Sequence, residues 1–525
     1  MPKLLPGAAL LLLLAISCNQ HQNDSIYTLK DETVQSVPVT DSMDPAERKE
    51  ETAFNTEDYD HITENSFLTA KDQPLSTFSI DVDDAAYSNV RRFIQNGTLP
   101  PAGAVRLEEM INYFDYDYTP PQNNDPFSVT TEVGDCPWNT KHRLVHIGIK
   151  GKEISKDALP VSNIVFLVDV SGSMEQPDKL PLLKQSLRLL TKQLRNEDRV
   201  AMVVYAGAAG LVLPSTPGSD KTAITRAIDN LEAGGSTAGA EGIQLAYSVA
   251  RKNFITGGNN RIILATDGDF NVGPSSDDEL VTLVEKERKS NIFLTVLGFG
   301  TGNYKDNKMQ QLADKGNGNH AYIDNINEAR KVLVNEFGST LFTIAKDVKL
   351  QVEFNPAKIQ SYRLIGYENR MLQQQDFNDD KKDAGEIGAG HTVTALYEII
   401  PAGVKDSFTV KTDDLKYQKP ARVVTAFGNE LMNIRIRYKT PEGNTSKLMT
   451  SAVSGDMNNP ERGSDNFRFS AAVAEFGMLL RKSQYRQGAT YESVSRLATS
   501  AIGDDPFGYR AEFVGLVKSA RLLED

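Results

Sequence analysis

Four runs of almost unbroken apolar residues stand between Ser162 and Thr343: "NIVFLVDV", "RVAMVVYAG", "RIILATDG" and "NIFLTVLGFG". Each has strand length and no polar face. Between them lie segments with a helical period: "KLPLLKQSLRLLTKQL", "DKTAITRAIDNLEAG", "AGAEGIQLAYSVARKNF", "DDELVTLVEKERKS" and "INEARKVLVNEFGSTLFTI". Strands buried on both faces, alternating with amphipathic helices, predict a parallel sheet covered on both sides. One connection is too short for a crossover. "VAMVVYAG" and "LVLPST" are joined by a few small residues around Gly207 and Gly210, which predicts an antiparallel pair at a sheet edge.

The pattern differs on either side. Upstream, "FSIDVDDAAYSNVRRFIQNG" predicts a short strand from Phe78, then a helix through Ala86, Val90 and Phe93 that stops at Gly97. Asp81, Asp83 and Asp84 can be read as a calcium cluster. The helix that follows at once favours Asp83 or Asp84 as its cap. "AVRLEEMINYFDY" predicts a second short helix. "FSVTTEVGDCPW" and "HRLVHIGIKGKE" alternate as antiparallel strands do. His142 and His146 then share one strand face with no third ligand near, and read as solvated or packed. Downstream, "DVKLQVEFNP", "SYRLIGYEN", "GHTVTALYEIIPAG" and "ELMNIRIRYKTP" read as strands, and "NFRFSAAVAEFGMLLRKSQY", "TYESVSRLATSAI" and "YRAEFVGLVKSARLL" as helices.

Strands before and after the α/β unit are expected to pair with each other. The predicted fold class is α/β: a doubly wound, Rossmann-like domain with a mostly parallel sheet, inserted into a flanking β-sandwich-like domain, plus C-terminal helices. The expected divisions are a signal peptide (1–17), a disordered acidic tether (18–73), an N-terminal helical and β-strand region (74–160) and the α/β domain (161–343). A β-rich region (344–445) pairing with 126–152 and a C-terminal helical region (446–525) follow.

The formal charge of -13 argues against nucleic acid as a partner, since that needs a basic face. The start, "MPKLLPGAALLLLLAISC", has an apolar run too short to span a membrane and shaped like a secretory signal. The residues alone also fit an ordinary signal peptide in which Cys18 is incidental. Ending on "AISC", the segment resembles a bacterial lipoprotein signal, although Ala15 stands where Leu is more usual. That resemblance implies cleavage before Cys18 and lipidation of its thiol. It would place the protein at the cell envelope, anchored to a membrane through lipid. Asn19 gives no inner-membrane retention signal, which favours the outer membrane. The only other cysteine, Cys136, then has no partner, so no disulfide is expected. Cys136 reads as a buried apolar residue beside Trp138.

The first apolar strand stops on Asp169, with Ser171 and Ser173 following at every second position. An extended chain puts such residues on one side, and Gly172 is expected to let the loop turn. "EAGGSTAGAEG" places Thr237 just before a helix, and "RIILATDGDFNVG" ends another strand on Thr266 and Asp267. In an open α/β sheet, loops at the carboxyl ends of strands meet at the topological switch point. If the first and fourth strands flank that point, Asp169, Ser171, Ser173, Thr237 and Asp267 converge. These donors are all oxygens, which selects Mg²⁺ or Mn²⁺ over zinc or copper. Magnesium takes six oxygens and usually keeps some waters. Neutral hydroxyl ligands leave the ion electrophilic, so a carboxylate from another molecule can complete the shell.

"DVSGS", Thr237 in "GGSTAG" and "TDGD" resemble the metal-ion-dependent adhesion site of von Willebrand factor type A domains. The resemblance implies that Ser171, Ser173 and Thr237 coordinate directly or through water, and that Asp169 and Asp267 act directly or from the second shell. It implies Mg²⁺, with Mn²⁺ or Ca²⁺ as substitutes, and a protein ligand that offers Asp or Glu. Asp269 would add field nearby. The flanks "FSIDVDDAAYSNVRRFIQNG", "EEMINYFDYDY" and "YENRMLQQQDFNDDKKDAGEIGAGHTVTALYEIIPAG" resemble bacterial lipoproteins that carry this domain between an N-terminal region and an uncharacterised C-terminal region. In some relatives a shift of the last helix, here "EARKVLVNEFGSTLFTI", tunes affinity.

The expected function is therefore a divalent-metal-dependent protein-binding module on a membrane-anchored envelope protein. The alternative is an assembly or chaperone-like factor for an envelope complex. No enzyme is expected: the chain shows no Ser/His/Asp or Cys/His set and no H-E-x-x-H. "GGNNRI" and "GTGNYKDNKM" are not phosphate loops, since no G-K-[ST] follows.

Overall fold

The computed structural model describes residues 57–155, 158–235, 239–268, 277–336, 342–409, 428–441, 443–455 and 463–524. The signal segment with Cys18, Thr237 and Asp269 lie outside them.

The described chain opens with β1 (Leu68–Thr69), β2 (Leu75–Ser79), α1 (Ala85–Gln95), α2 (Leu107–Asn112), β3 (Phe127–Asp135) and β4 (Arg143–Gly151). An α/β unit follows: β5 (Ser162–Asp169), α3 (Leu180–Gln193), β6 (Arg199–Tyr205), β7 (Ala209–Pro217), α4 (Lys221–Asp229), α5 (Gly239–Lys252), β8 (Asn259–Thr266), α6 (Asp277–Arg288), β9 (Phe293–Phe299), α7 (Asp306–Lys315), β10 (His320–Ile323) and α8 (Ile326–Arg330). Its strands run in the order β10-β9-β8-β5-β6-β7. All neighbours are parallel except β6 and β7, the edge hairpin. Strand β5 explains why the sheet needs helices on both sides. Ile164, Phe166 and Val168 pack on one face with Leu183, Leu187 and Leu190 of α3. Val165 and Leu167 pack on the other with Ile243, Ala246 and Tyr247 of α5. Every β5 side chain is buried, and each fully buried Val, Leu, Ile or Phe is worth about 1.5–3 kcal/mol relative to exposure.

The chain then returns through β11 (Thr343–Phe354), β12 (Ile359–Ile365), β13 (Gly385–Gly388), β14 (Thr392–Pro401), β15 (Glu430–Lys439) and β16 (Lys447–Ser454). It ends in α9 (Asp465–Leu480), α10 (Tyr491–Thr499) and α11 (Tyr509–Glu524). Strands from before and after the α/β unit share sheets. One sheet is β1-β12-β14-β4-β3; the other is β13-β11-β15-β16, with β2 also on β11. The two sheets enclose one apolar layer. In β14, Val393, Ala395, Tyr397 and Ile399 face that layer. Leu396 faces the opposite layer, formed by α1, α2 and α9 to α11. The α/β unit is thus an insertion. Both of its connections pass the turn before β14: Gly390 N–H donates to the Lys152 carbonyl (3.1 Å) and Ala389 N–H to the Phe342 carbonyl (2.9 Å). Entry and exit lie close together, as insertion of one domain into another requires.

Four expectations need correction. The tether was to run to residue 73, yet 57–73 lies on the body. Strand β1 pairs with β12, the Glu57 carboxylate pairs with Arg92 at 2.8 Å, and Asn65 donates to the Gly366 carbonyl at 2.8 Å. These anchors are polar, so hydropathy does not register them. Asp84 sits at the N-cap of α1 but makes no side-chain cap bond; Glu109 of α2 accepts from Ala86 N–H instead, at 2.9 Å. Asp83 is drawn to Arg370 (3.1 Å), which also holds Asp81 (3.0 Å) and Asp314 (2.7 Å). Of the long helix expected over "INEARKVLVNEFGSTLFTI", the described residues show α8 and a π-turn at Lys331–Asn335, and Thr343 already belongs to β11. Finally, the C-terminal helical region from 446 begins with a strand, β16, whose exposed edge-like pattern gives a weak apolar signal.

His142 and His146 are both packed and buried. The His146 ring nitrogen Nε2 meets the Tyr118 hydroxyl at 2.8 Å. Cys136 is buried in the helical layer with Trp138.

Candidate functional site

Strand β5 ends where the sheet order changes direction, with β8 on one side and β6 on the other. The expected switch point is therefore real, and the loops after β5 and β8 meet there. Asp169 is the last residue of β5 and is fully buried. Its Oδ1 accepts from the Ser171 amide (2.9 Å) and the Ser171 hydroxyl (2.6 Å). Its Oδ2 accepts from the Tyr205 and Thr266 hydroxyls, both at 3.1 Å. Ser171 continues the extended chain, whereas Ser173 lies in a 3₁₀ turn, Gly172–Glu175. The two hydroxyls still meet at 3.1 Å. Ser173 also hydrogen-bonds Asp267.

Gly172 does not need the freedom expected of it. Its φ is not positive, and a Cβ there would lie 3.7 Å from its nearest neighbour, the Gly235 carbonyl oxygen. The demand falls on Gly235, at φ +85, where a Cβ would come within 3.3 Å of Gly207 N. Gly234 and Gly235 dock their loop on the β5 loop: Gly234 N–H donates to the Val170 carbonyl (2.7 Å), and Gly172 N–H to the Gly235 carbonyl (3.1 Å). Thr237, the fifth expected donor, lies outside the described residues.

Asp267 follows β8 and is also fully buried. Its Oδ2 accepts from Lys179 Nζ and from the Asn303 amide, each at 2.9 Å. The two carboxylates differ sharply in electrostatics. Burial, helped by the nearby Asp267 charge, pushes Asp169 up to about 6 despite its hydrogen bonds from Ser171 and Thr266. Burial acts on Asp267 too, but hydrogen bonds from Asn303, Lys179 and Ser173 and the Lys179 charge outweigh it and hold the carboxyl below its usual range. Asp169 thus accepts bonds from neutral donors, while Asp267 has an ammonium.

Four of the five expected donors, Asp169, Ser171, Ser173 and Asp267, therefore come together. Lys179 and Asn303 belong to the same cluster and were not anticipated. Among the described residues no group of three or more His, Cys, Asp or Glu side chains is placed to hold a metal; this site offers two carboxylates and two hydroxyls. An oxygen-only donor set around a buried carboxylate held by hydroxyls and an amide fits a hard divalent cation.

Residues 163–334 match the von Willebrand factor type A domain, residues 53–146 a region described as von Willebrand factor, and residues 339–523 the C-terminal domain of the uncharacterized protein YfbK. Solved structures similar to the chain include a von Willebrand factor type A protein from Catenulispora acidiphila (14% identity, 77% of this chain and 91% of that one, TM-score 0.41). Another is the conserved hypothetical protein BatB from Bacteroides thetaiotaomicron (24% identity, 34% and 97%, TM-score 0.29). The uncharacterized protein YfbK of Escherichia coli (strain K12) is 44% identical over 475 residues, covering 89% of this chain and 81% of that protein. The chain belongs to the YfbK family and carries a von Willebrand factor type A domain between that family's flanking regions.

Proposed function

We propose that this protein is a divalent-cation-dependent protein-binding module displayed at the cell envelope from a lipidated Cys18. The observation that carries the binding reading is the convergence of Asp169, Ser171, Ser173 and Asp267 at the switch point, with Gly234 and Gly235 docked beside them. These five residues would hold Mg²⁺, or Mn²⁺ or Ca²⁺ in its place. The ion would supply a positive charge on which a partner's Asp or Glu carboxylate can settle. Asp169 and Asp267 would bring negative charge, and the hydroxyls of Ser171, Ser173 and Thr237 would bring donors that do not cancel the ion's charge. Tyr205 and Thr266 fix Asp169 from behind, so its orientation needs no rearrangement when a cation enters.

The reading makes Asp169→Ala the decisive variant. Titration calorimetry on the wild-type protein should show Mg²⁺ binding in the micromolar-to-millimolar range, abolished in Asp169→Ala while the circular dichroism spectrum stays the same. Equal Mg²⁺ binding by both proteins would sink the site. The anchoring half rests on "AISC" alone. Cys18→Ser should move the protein from the membrane pellet to the soluble fraction of lysed cells; retention in the pellet counts against lipidation.

A further inference from the structure

Lys179 immediately precedes α3, and its ammonium is buried in the site rather than in solvent. Its side chain is 6% exposed. Nζ donates to Asp267 Oδ2 at 2.9 Å and to Asn303 Oδ1 at 3.1 Å, while the Asn303 amide donates to the same Asp267 oxygen. The stem is accommodated as specifically as the head. It crosses Gly300, at φ +74, where a Cβ would come within 2.4 Å of both Lys179 Cγ and Cε. The loop after β9 therefore supplies a groove for the methylenes and an amide for the ammonium.

A buried ammonium beside a cation site is costly on two counts. It loses hydration, and it repels any cation that Asp169 and Asp267 attract. A site shaped only for tight cation binding would omit it. What the lysine changes is the charge of the filled site. Two carboxylates and one ammonium carry a formal charge of minus one, which a divalent cation turns into plus one. Without Lys179 the filled site would be neutral.

We propose that Lys179 is a specificity-determining residue: it weakens the hold on the divalent cation and keeps the filled site one charge positive, so that a carboxylate ligand is drawn to it. This rests on the cation-dependent reading above. Lys179 acts here by charge, from a fixed position, and touches the ligand site through Asp267. Metal affinity and carboxylate affinity then move in opposite directions when its charge is removed, whereas a lysine that merely braces the loop would lower both.

The test uses the full chain and two probes, Mg²⁺ alone and acetate. Lys179→Met keeps the stem over Gly300 and deletes the charge. Calorimetry should show Mg²⁺ bound about tenfold tighter by Lys179→Met than by wild type, a factor equal to about 1.4 kcal/mol. With Mn²⁺ in the site, paramagnetic broadening of the acetate methyl resonance should report acetate bound several-fold more weakly. Lys179→Gln, which retains a hydrogen-bond donor, is read in the same way if the Met variant does not fold. A parallel fall in both affinities, or no change in either, overturns the role of Lys179 while leaving the cation site intact. Absence of Mg²⁺ binding in the wild type overturns the cation-dependent reading itself, and this inference with it.

Discussion

His142 shows how much a single side chain can hold. It is fully buried, with Nδ1 2.5 Å from Glu398 Oε1 and Nε2 2.9 Å from Asp406 Oδ2. Only the imidazolium can donate to both carboxylates at once. Burial alone would lower its pKa, but the two carboxylates outweigh burial and raise it above 6.5. A group whose folded value exceeds its unfolded value stabilises fully below the unfolded pKa, and loses that contribution as pH rises through the folded value. The stability gap between wild type and His142→Gln, from urea unfolding, should be full below about pH 6.5 and shrink as pH rises above it; a gap that widens with pH contradicts the charged strut. None of this was legible in "KHRLVHIGIK", since both carboxylates come from more than 250 positions away. The same asymmetry holds at the candidate site. Asp169, Ser171, Ser173 and Asp267 could be read because each ends or closely follows a strand whose apolar run announces it. Lys179 could not, because "EQPDKLPLLK" looks like any solvated helix start, and Asn303 lay in a glycine-rich stretch noted only for lacking a phosphate loop.

At the scale of elements, legibility followed the sharpness of the apolar pattern. Strands buried on both faces, such as β5 and β14, have no competing reading, and the short link between β6 and β7 forces their antiparallel pairing. Ambiguity entered where a helical period and a strand period overlap. "VLVNEFGSTLFTI" satisfies a 3.6-residue spacing, but tertiary pairing draws Thr343–Phe354 into β11, between β2 and β15. Strand β16 was missed for the opposite reason. Five of its residues in "KLMTSAVS" are exposed, so its place is fixed by hydrogen bonding to β15 rather than by burial. The segment 57–73 belongs with it: mostly polar, and held by strand pairing, an ion pair and a few apolar side chains such as Phe67 and Ala70, which local composition cannot reveal.

For the whole molecule, the question is what ties the inserted α/β unit to its flanks, since two short connections would leave it free to swing. Arg91 of α1 answers it. Its guanidinium donates to both oxygens of Asp324, at 2.8 and 2.5 Å, just after β10. It also reaches Glu328 of α8 (2.6 Å), Glu512 of α11 (3.0 Å) and the hydroxyl of Tyr113, just after α2 (3.0 Å). One side chain thus joins the N-terminal flank, the last helix of the α/β unit and the C-terminal helix. Tyr113 closes the network by donating to Glu328 at 2.7 Å. Any displacement of α8 would have to break this cluster. Asp324 and Glu328 are almost wholly buried, with side chains 4% and 1% exposed. Removing a buried partner leaves its carboxylates uncompensated, a loss of about 3–5 kcal/mol. Arg91→Met should therefore be destabilised by that order, and Asp324→Asn in the Met background should recover part of it by removing one stranded charge. The sole tryptophan, Trp138, reports on the helical layer of the flank, whereas far-ultraviolet dichroism samples the whole chain. In wild type the two urea transitions should coincide, as cooperative unfolding requires. In Arg91→Met they should separate, because the α/β unit and the flank no longer share this buried charge cluster. Coincident transitions at an unchanged midpoint would mean that the remaining contacts across the insertion, Arg106 with Asp306 and Arg370 with Asp314 among them, couple the two parts without Arg91.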